Sequence, residues 1–119
     1  MEIKFQKEDE YLIVEVKSHD LDEKNTSYFK EKMNEALEDH PPYLIMDLSS
    51  VNFISSSGIG SITVVYKKIS VAKITKFCLM ITSENIRQLF KITGLDQYIR
   101  IFDSMENAKK GILSEEKLL

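Results

Sequence analysis

The chain has 119 residues, 43% of them apolar and 29% charged, with a formal net charge of −3. That length fits one domain able to bury a core without disulfides or metal, and the negative balance argues against nucleic acid as the main partner. One cysteine and two histidines, at spacings that match no metal pattern, cannot make a self-contained tetrahedral site without carboxylates. No apolar run reaches the roughly 18 residues of a membrane span and no basic-then-apolar leader is present, so a cytoplasmic protein is expected.

In chain order, Glu2 to Gln6 alternates Ile3 and Phe5 with polar neighbours, and Tyr11 to Val16 sets Leu12, Val14 and Val16 on one face. Both read as half-buried strands, and the short polar link over Lys7 to Glu10 predicts a hairpin. Lys17 to Lys24 is a polar loop. Asn25 or Thr26 caps a helix with Phe29, Met33, Ala36 and Leu37 on one stripe. Asp39-His40-Pro41-Pro42 ends it, because proline disfavours α geometry in the residue before it. Tyr43 to Leu48 is apolar apart from Asp47, the pattern of a strand buried on both faces, as in parallel sheets.

The bend that follows is the most informative stretch. Ser49, Ser50 and Asn52 break the apolar run, and Ile54-Ser55-Ser56-Ser57-Gly58-Ile59-Gly60 opens a helix whose apolar period is about 3.6 rather than two. Gly58, Ile59, Ile62, Val65, Tyr66, Ile69 and Ala72 share its core-facing side. Opposite lie Ser57, Gly60, Val64, Lys67, Lys68 and Val71, and with Ser61 they form the strip expected to meet a partner. Serines at a helix mouth sit beside unpaired N–H groups and the positive end of the macrodipole. Such a place can hold an anion, including one attached covalently to a serine. The plainer reading is that one serine caps the helix and the others fill a tight turn. Asp47 is costly in an apolar strand unless it is paired or near water, so it either shapes this bend or reaches solvent.

Lys73 to Lys76 links the helix to a strand at Phe77 to Ile81, in which Cys78 is buried. Thr82-Ser83 caps a helix burying Ile86, Leu89, Phe90 and Ile92, which Gly94 and Leu95 end with a left-handed cap. Ile99 to Phe102 forms a short edge strand. Asp103 with Glu106 makes a capping box for a last helix burying Met105, Ala108 and Ile112. The domain is expected over 1–113, with 114–119 a frayed tail. This order specifies one α/β domain: a mixed, mostly parallel sheet of four to five strands, an N-terminal antiparallel hairpin and about four helices.

Leu44-Ile45-Met46-Asp47-Leu48, the polar bend and Phe53-Ile54-Ser55-Ser56-Ser57-Gly58-Ile59-Gly60 resemble the signature of the STAS domain, above all that of bacterial anti-sigma-factor antagonists. That pattern is an apolar strand, Asp-Leu, a polar bend, then two apolar residues and Asp-Ser-Ser/Thr-Gly-Leu-Gly. The resemblance implies Ser56 as phosphoacceptor with Ser57 as second choice, and a switch loop of Ser55, Ser57, Gly58, Asp22 and Asp47. It also implies an anti-sigma factor with serine-kinase activity as partner and a phosphatase that reverses the mark. The domain itself would bring no catalysis and no cofactor, ATP belonging to the kinase. Three departures stand out: Ser55 replaces the pattern's Asp, His19 replaces a glycine before Leu21-Asp22, and the Lys73 to Lys76 link lacks a glycine pair.

Enzyme chemistry finds little support in the residues. The nucleophile elbow Gly-x-Ser-x-Gly is absent, since Ile54 and Ser55 stand two places before Ser56 and Ser57, and neither His19 nor His40 is placed as a base. Gly58-Ile59-Gly60 lacks the third glycine of a dinucleotide fingerprint and the Gly-Lys-Ser/Thr of a phosphate loop. A phospho-switch asks less: a reachable hydroxyl and a partner face sensitive to added charge. The alternative within the same fold is a subunit of another assembly, a stress-sensing complex or a lipid-transport machine, with structural, unphosphorylated serines.

Overall fold

The computed structural model describes residues 1–114. Strands β1 (Glu2–Glu8) and β2 (Tyr11–Lys17) pair antiparallel, with Ile3 opposite Val16 and Phe5 opposite Val14. A two-residue strand β3 (Asp20–Leu21) precedes helix α1 (Thr26–Glu38), which leads to β4 (Tyr43–Asp47), a second two-residue strand β5 (Phe53–Ile54) and helix α2 (Ser56–Ala72). Then come β6 (Lys76–Met80), α3 (Glu84–Ile92), a 3-10 turn over Leu95–Gln97, β7 (Arg100–Phe102) and α4 (Met105–Leu113).

The main sheet runs β1-β2-β4-β6-β7, with every pairing after the hairpin parallel. This is the expected mixed, mostly parallel sheet, with five strands where four to five were expected and, among the described residues, four α-helices. Because β4 is central, Leu44, Ile45 and Met46 are all fully buried, which explains its continuous apolar run. Leu44 and Met46 face the core built with Phe29, Met33, Ile62 and Phe90 from α1, α2 and α3. Ile45 and Cys78 face the opposite side, under Ala108 and Ile112 of α4. Each fully buried side chain of this size stabilises the fold by roughly 1.5–3 kcal/mol, and Phe29→Ala would cost about 3–5 kcal/mol.

Several local readings need correction. Asn25 is the N-cap residue of α1 but makes no side-chain cap bond; its amide turns back to the preceding loop instead. Ser104, not Asp103, caps α4, accepting from the Asn107 N–H, while Asp103 accepts from the Asn107 side chain. Ile92 is 79% exposed, since it lies two residues from buried Phe90 and so about 200° round the helix. Ala72, in the last turn of α2, is also exposed. The link without glycines closes through Lys73, which itself takes the left-handed conformation at φ 57°. Of the expected tail, 115–119 lies outside the described residues.

Candidate functional site

The carboxyl end of β4 turns back on itself through Asp47, whose Oδ1 accepts from both the Ser49 N–H (2.9 Å) and the Ser49 hydroxyl (2.6 Å). The chain then crosses to β3, a short ledge that periodicity could not reveal because each of its two strands is only two residues long. The N–H groups of Asn52 and Phe53 donate to the His19 carbonyl, and the Ser55 N–H donates to the Leu21 carbonyl at 3.0 Å. His19 keeps a negative φ, so the ledge forms without the glycine expected there.

Gly58 is the tightest point. A Cβ on it would lie 2.4 Å from the Leu21 carbonyl oxygen and 2.7 Å from Cγ2 of Ile54, so only glycine lets α2 start this close to β3. Asp22 follows directly on Leu21. Its Oδ1 accepts from the Lys24 N–H, its carbonyl from the Asn25 and Thr26 N–H groups, and Asn25 pins the loop by bonding Asp22 N–H and the Asp20 carbonyl. Asp22, Leu21, Ser55 and Gly58 thus form one continuous unit, which fixes where α2 begins.

Ser55 is the N-cap of α2, its hydroxyl accepting from the Gly58 N–H at 3.2 Å. Ser56 and Ser57 are the first two helical residues, and both are exposed. The first turn of α2 carries no acidic side chain, so the positive end of its dipole is uncompensated by charge. Along the helix, Ser57, Gly60, Val64, Lys67, Lys68 and Val71 are all exposed, with Val71 at 81% and open space over Gly60. The Lys68 Nζ donates to Asn34 Oδ1 on α1 at 2.6 Å. Ser61 does not belong to this strip: it is 1% exposed, and its hydroxyl donates to the Gly58 carbonyl, because it stands on the core side between Gly58 and Ile62.

Phe53 was not singled out by sequence reasoning. It is 51% exposed, turned to the face opposite buried Ile54 in a strand too short to carry a period in the sequence. Cys78 is buried in β6, and that burial pushes its thiol from 9.0 up to about 12, with Arg100 opposing in part. Among the described residues no three His, Cys, Asp or Glu side chains gather as a metal site, and no helix is long and apolar enough to cross a membrane.

The fold is a mixed α/β domain that exposes a pair of serines, Ser56 and Ser57, at the mouth of α2. The chain belongs to the STAS domain family, whose model matches residues 2–108. It is homologous to the anti-sigma-F factor antagonist RsfB of Mycobacterium tuberculosis, with 29% identity over 83 residues, 70% of this chain and 66% of that protein. An anti-sigma factor antagonist from Mycobacterium paratuberculosis has the same fold, with a TM-score of 0.87, 23% identity and coverage of 95% of this chain and 94% of that one. So does the Bacillus cell fate determinant SpoIIAA in its phosphorylated form, with a TM-score of 0.67, 17% identity and coverage of 93% and 99%.

Proposed function

We propose that the chain is an anti-sigma-factor antagonist working by partner switching in the cytoplasm. Unphosphorylated, it holds an anti-sigma factor that is also a serine kinase, and so releases a sigma factor. Transfer of a phosphoryl group to Ser56 by that kinase ends the binding, and a phosphatase restores it. The homology to RsfB supports the partner class. The single observation that carries the switch is the exposure of Ser56 at the first position of α2, next to a flat strip of Ser57, Gly60 and Val64.

The physics is local. A phosphoserine adds about −1.5 to −2 charges at neutral pH, and a charge of that sign at a helix N-terminus is favourable to the helix. The fold therefore tolerates the mark, while a docked surface must desolvate it, at a cost of several kcal/mol. Because about 1.4 kcal/mol is tenfold in affinity, that suffices to release a partner. The test is incubation with the cognate kinase and ATP, mass spectrometry of the product, and titration of Ser56→Asp with the anti-sigma factor. Unmodified Ser56 and Ser57 together with undiminished affinity of the variant would sink the switch.

One observation favours the rival reading, a STAS subunit of another assembly: Ser55 stands where the family pattern has Asp and is engaged as a cap. The mass spectrometry separates the two, since a structural serine loop predicts no phosphorylation.

A further inference from the structure

The serine bend occupies the carboxyl end of the parallel strands. At the other end, between the β1–β2 hairpin and the last turn of α1, lies a groove of about 410 Å³, within the size range of small-ligand and side-chain pockets. Phe5, Leu12, Ala36 and Pro41 supply its apolar floor. Asp9 and Glu10 of the hairpin turn stand on one side of the rim and Glu35 and Asp39 on the other, with Lys7 as the one basic lining residue. Lys32 meets Glu35 at 3.4 Å, whereas Asp9, Glu10 and Asp39 enter no ion pair among the described residues.

The helix adds to this field. Asp39 is the C-cap of α1, and the last turn of that helix holds no basic residue, so the negative end of its dipole points the same way as the carboxylates. Acids at a helix C-terminus are electrostatically disfavoured within the chain itself. A cation from outside is what would relieve them. Lys32, 6.0 Å from the Phe5 ring centroid and paired with Glu35, offsets part of this field, which leaves Glu10 and Asp39 to meet an incoming cation while Phe5 offers an apolar face.

We infer that this groove is a second docking site, for a partner's segment that presents one apolar side chain flanked by lysine or arginine. The apolar side chain would enter between Phe5 and Ala36, and the flanking cations would meet Glu10 and Asp39. The inference does not depend on the proposed switch. The two sites lie at opposite ends of the strands, so the groove can be filled while the serine end is free or engaged.

The test is an amide NMR titration of the full chain with the capped synthetic peptide Gly-Arg-Leu-Arg-Gly. Saturable shifts centred on Phe5, Glu10 and Ala36 are expected. Glu10→Lys and Asp39→Lys, both at exposed positions, should each weaken binding at least fivefold with the rest of the spectrum unchanged. Replacing the peptide's leucine by serine should do the same, and Ser56→Asp should leave the affinity within twofold. Shifts scattered over the surface, or equal binding of the serine peptide, would reduce the groove to general attraction between an acidic protein and a basic peptide and overturn the inference.

Discussion

Two helices, α2 and α3, begin in the same way at the carboxyl ends of neighbouring strands, and their differences bear on the proposed switch. Each has a serine N-cap in an extended conformation: Ser55 accepts from the Gly58 N–H at 3.2 Å and Ser83 from the Ile86 N–H at 3.4 Å. Beyond the cap they diverge. α3 places Glu84 in its first turn and buries Ile86 three residues after the cap. α2 has no acid there, exposes Ser56 and Ser57, and at the matching third position admits only Gly58. The start of α3 is electrostatically and sterically complete, whereas the start of α2 is pressed against β3 on one side and left open on the other. An unfilled helix mouth is where a phosphate adds charge without unfolding anything.

The largest expected effect breaks this comparison through charge. Ser56→Asp should weaken binding to the anti-sigma factor about 100-fold, or about 2.7 kcal/mol, in calorimetric titration. Ser83→Asp, an equally good cap at the other helix, should leave it within twofold. Equal losses at both sites would mean that general acidity, not position, governs the contact.

Next comes the steric half. Gly58→Ala should destabilise the fold by about 2 kcal/mol in urea, because the clash with the Leu21 carbonyl outweighs the roughly 1 kcal/mol that alanine gains in a helix. Gly60→Ala, with nothing within 4 Å of its Cβ, should instead stabilise by about 0.5–1 kcal/mol. If the strip is a close-packed interface, the same Gly60→Ala change should cost binding even as it gains stability. A gain in both would place the contact elsewhere.

The caps are a smaller matter. Ser55→Ala and Ser83→Ala should each cost about 1 kcal/mol, read from the urea midpoint at constant slope. Ser55→Asp restores the acid of the family pattern while keeping a capping oxygen. It should hold or raise stability, and a faster rate of Ser56 phosphorylation in that variant would show that the missing carboxylate weakens kinase recognition.

How far the sequence carried this depends on the length of each signal. The central strand, the α2 stripe and the hairpin were legible because their periodicity runs over five or more residues, and burial of Leu44, Ile45 and Met46 on both faces is what an unbroken apolar run means. The ledge of β3 and β5 was not, since two-residue strands carry no period; its function had to be read from the carbonyls of His19 and Leu21. Ser61 was misplaced because a small hydroxyl residue reads as surface, yet its hydroxyl is satisfied by the Gly58 carbonyl one turn back, which lets it sit in the core. Phe53 was overlooked for the opposite reason: an aromatic residue reads as core, and only its exposure at the edge of the serine bend marks it as a contact candidate.

The smallest effect concerns charge at the helix starts. At low ionic strength Ser56→Asp should stabilise the isolated domain by about 0.3–1 kcal/mol, since it puts a negative charge where the first turn of α2 has none. Glu84→Gln should lose a similar amount at α3, where the charge is already present and also meets Arg87 at 3.9 Å and Gln88 at 3.0 Å. Both changes should shrink toward zero in about 0.5 M salt, because screening acts on exposed charges of this kind. Measured together with partner affinity, the pair separates two consequences of one substitution: the same carboxylate at position 56 should make the fold firmer and the complex weaker. If Ser56→Asp lowered the stability of the domain, loss of binding could be ascribed to a damaged helix start. A gain in stability leaves the charge at the interface, through its repulsion and desolvation, as the cause.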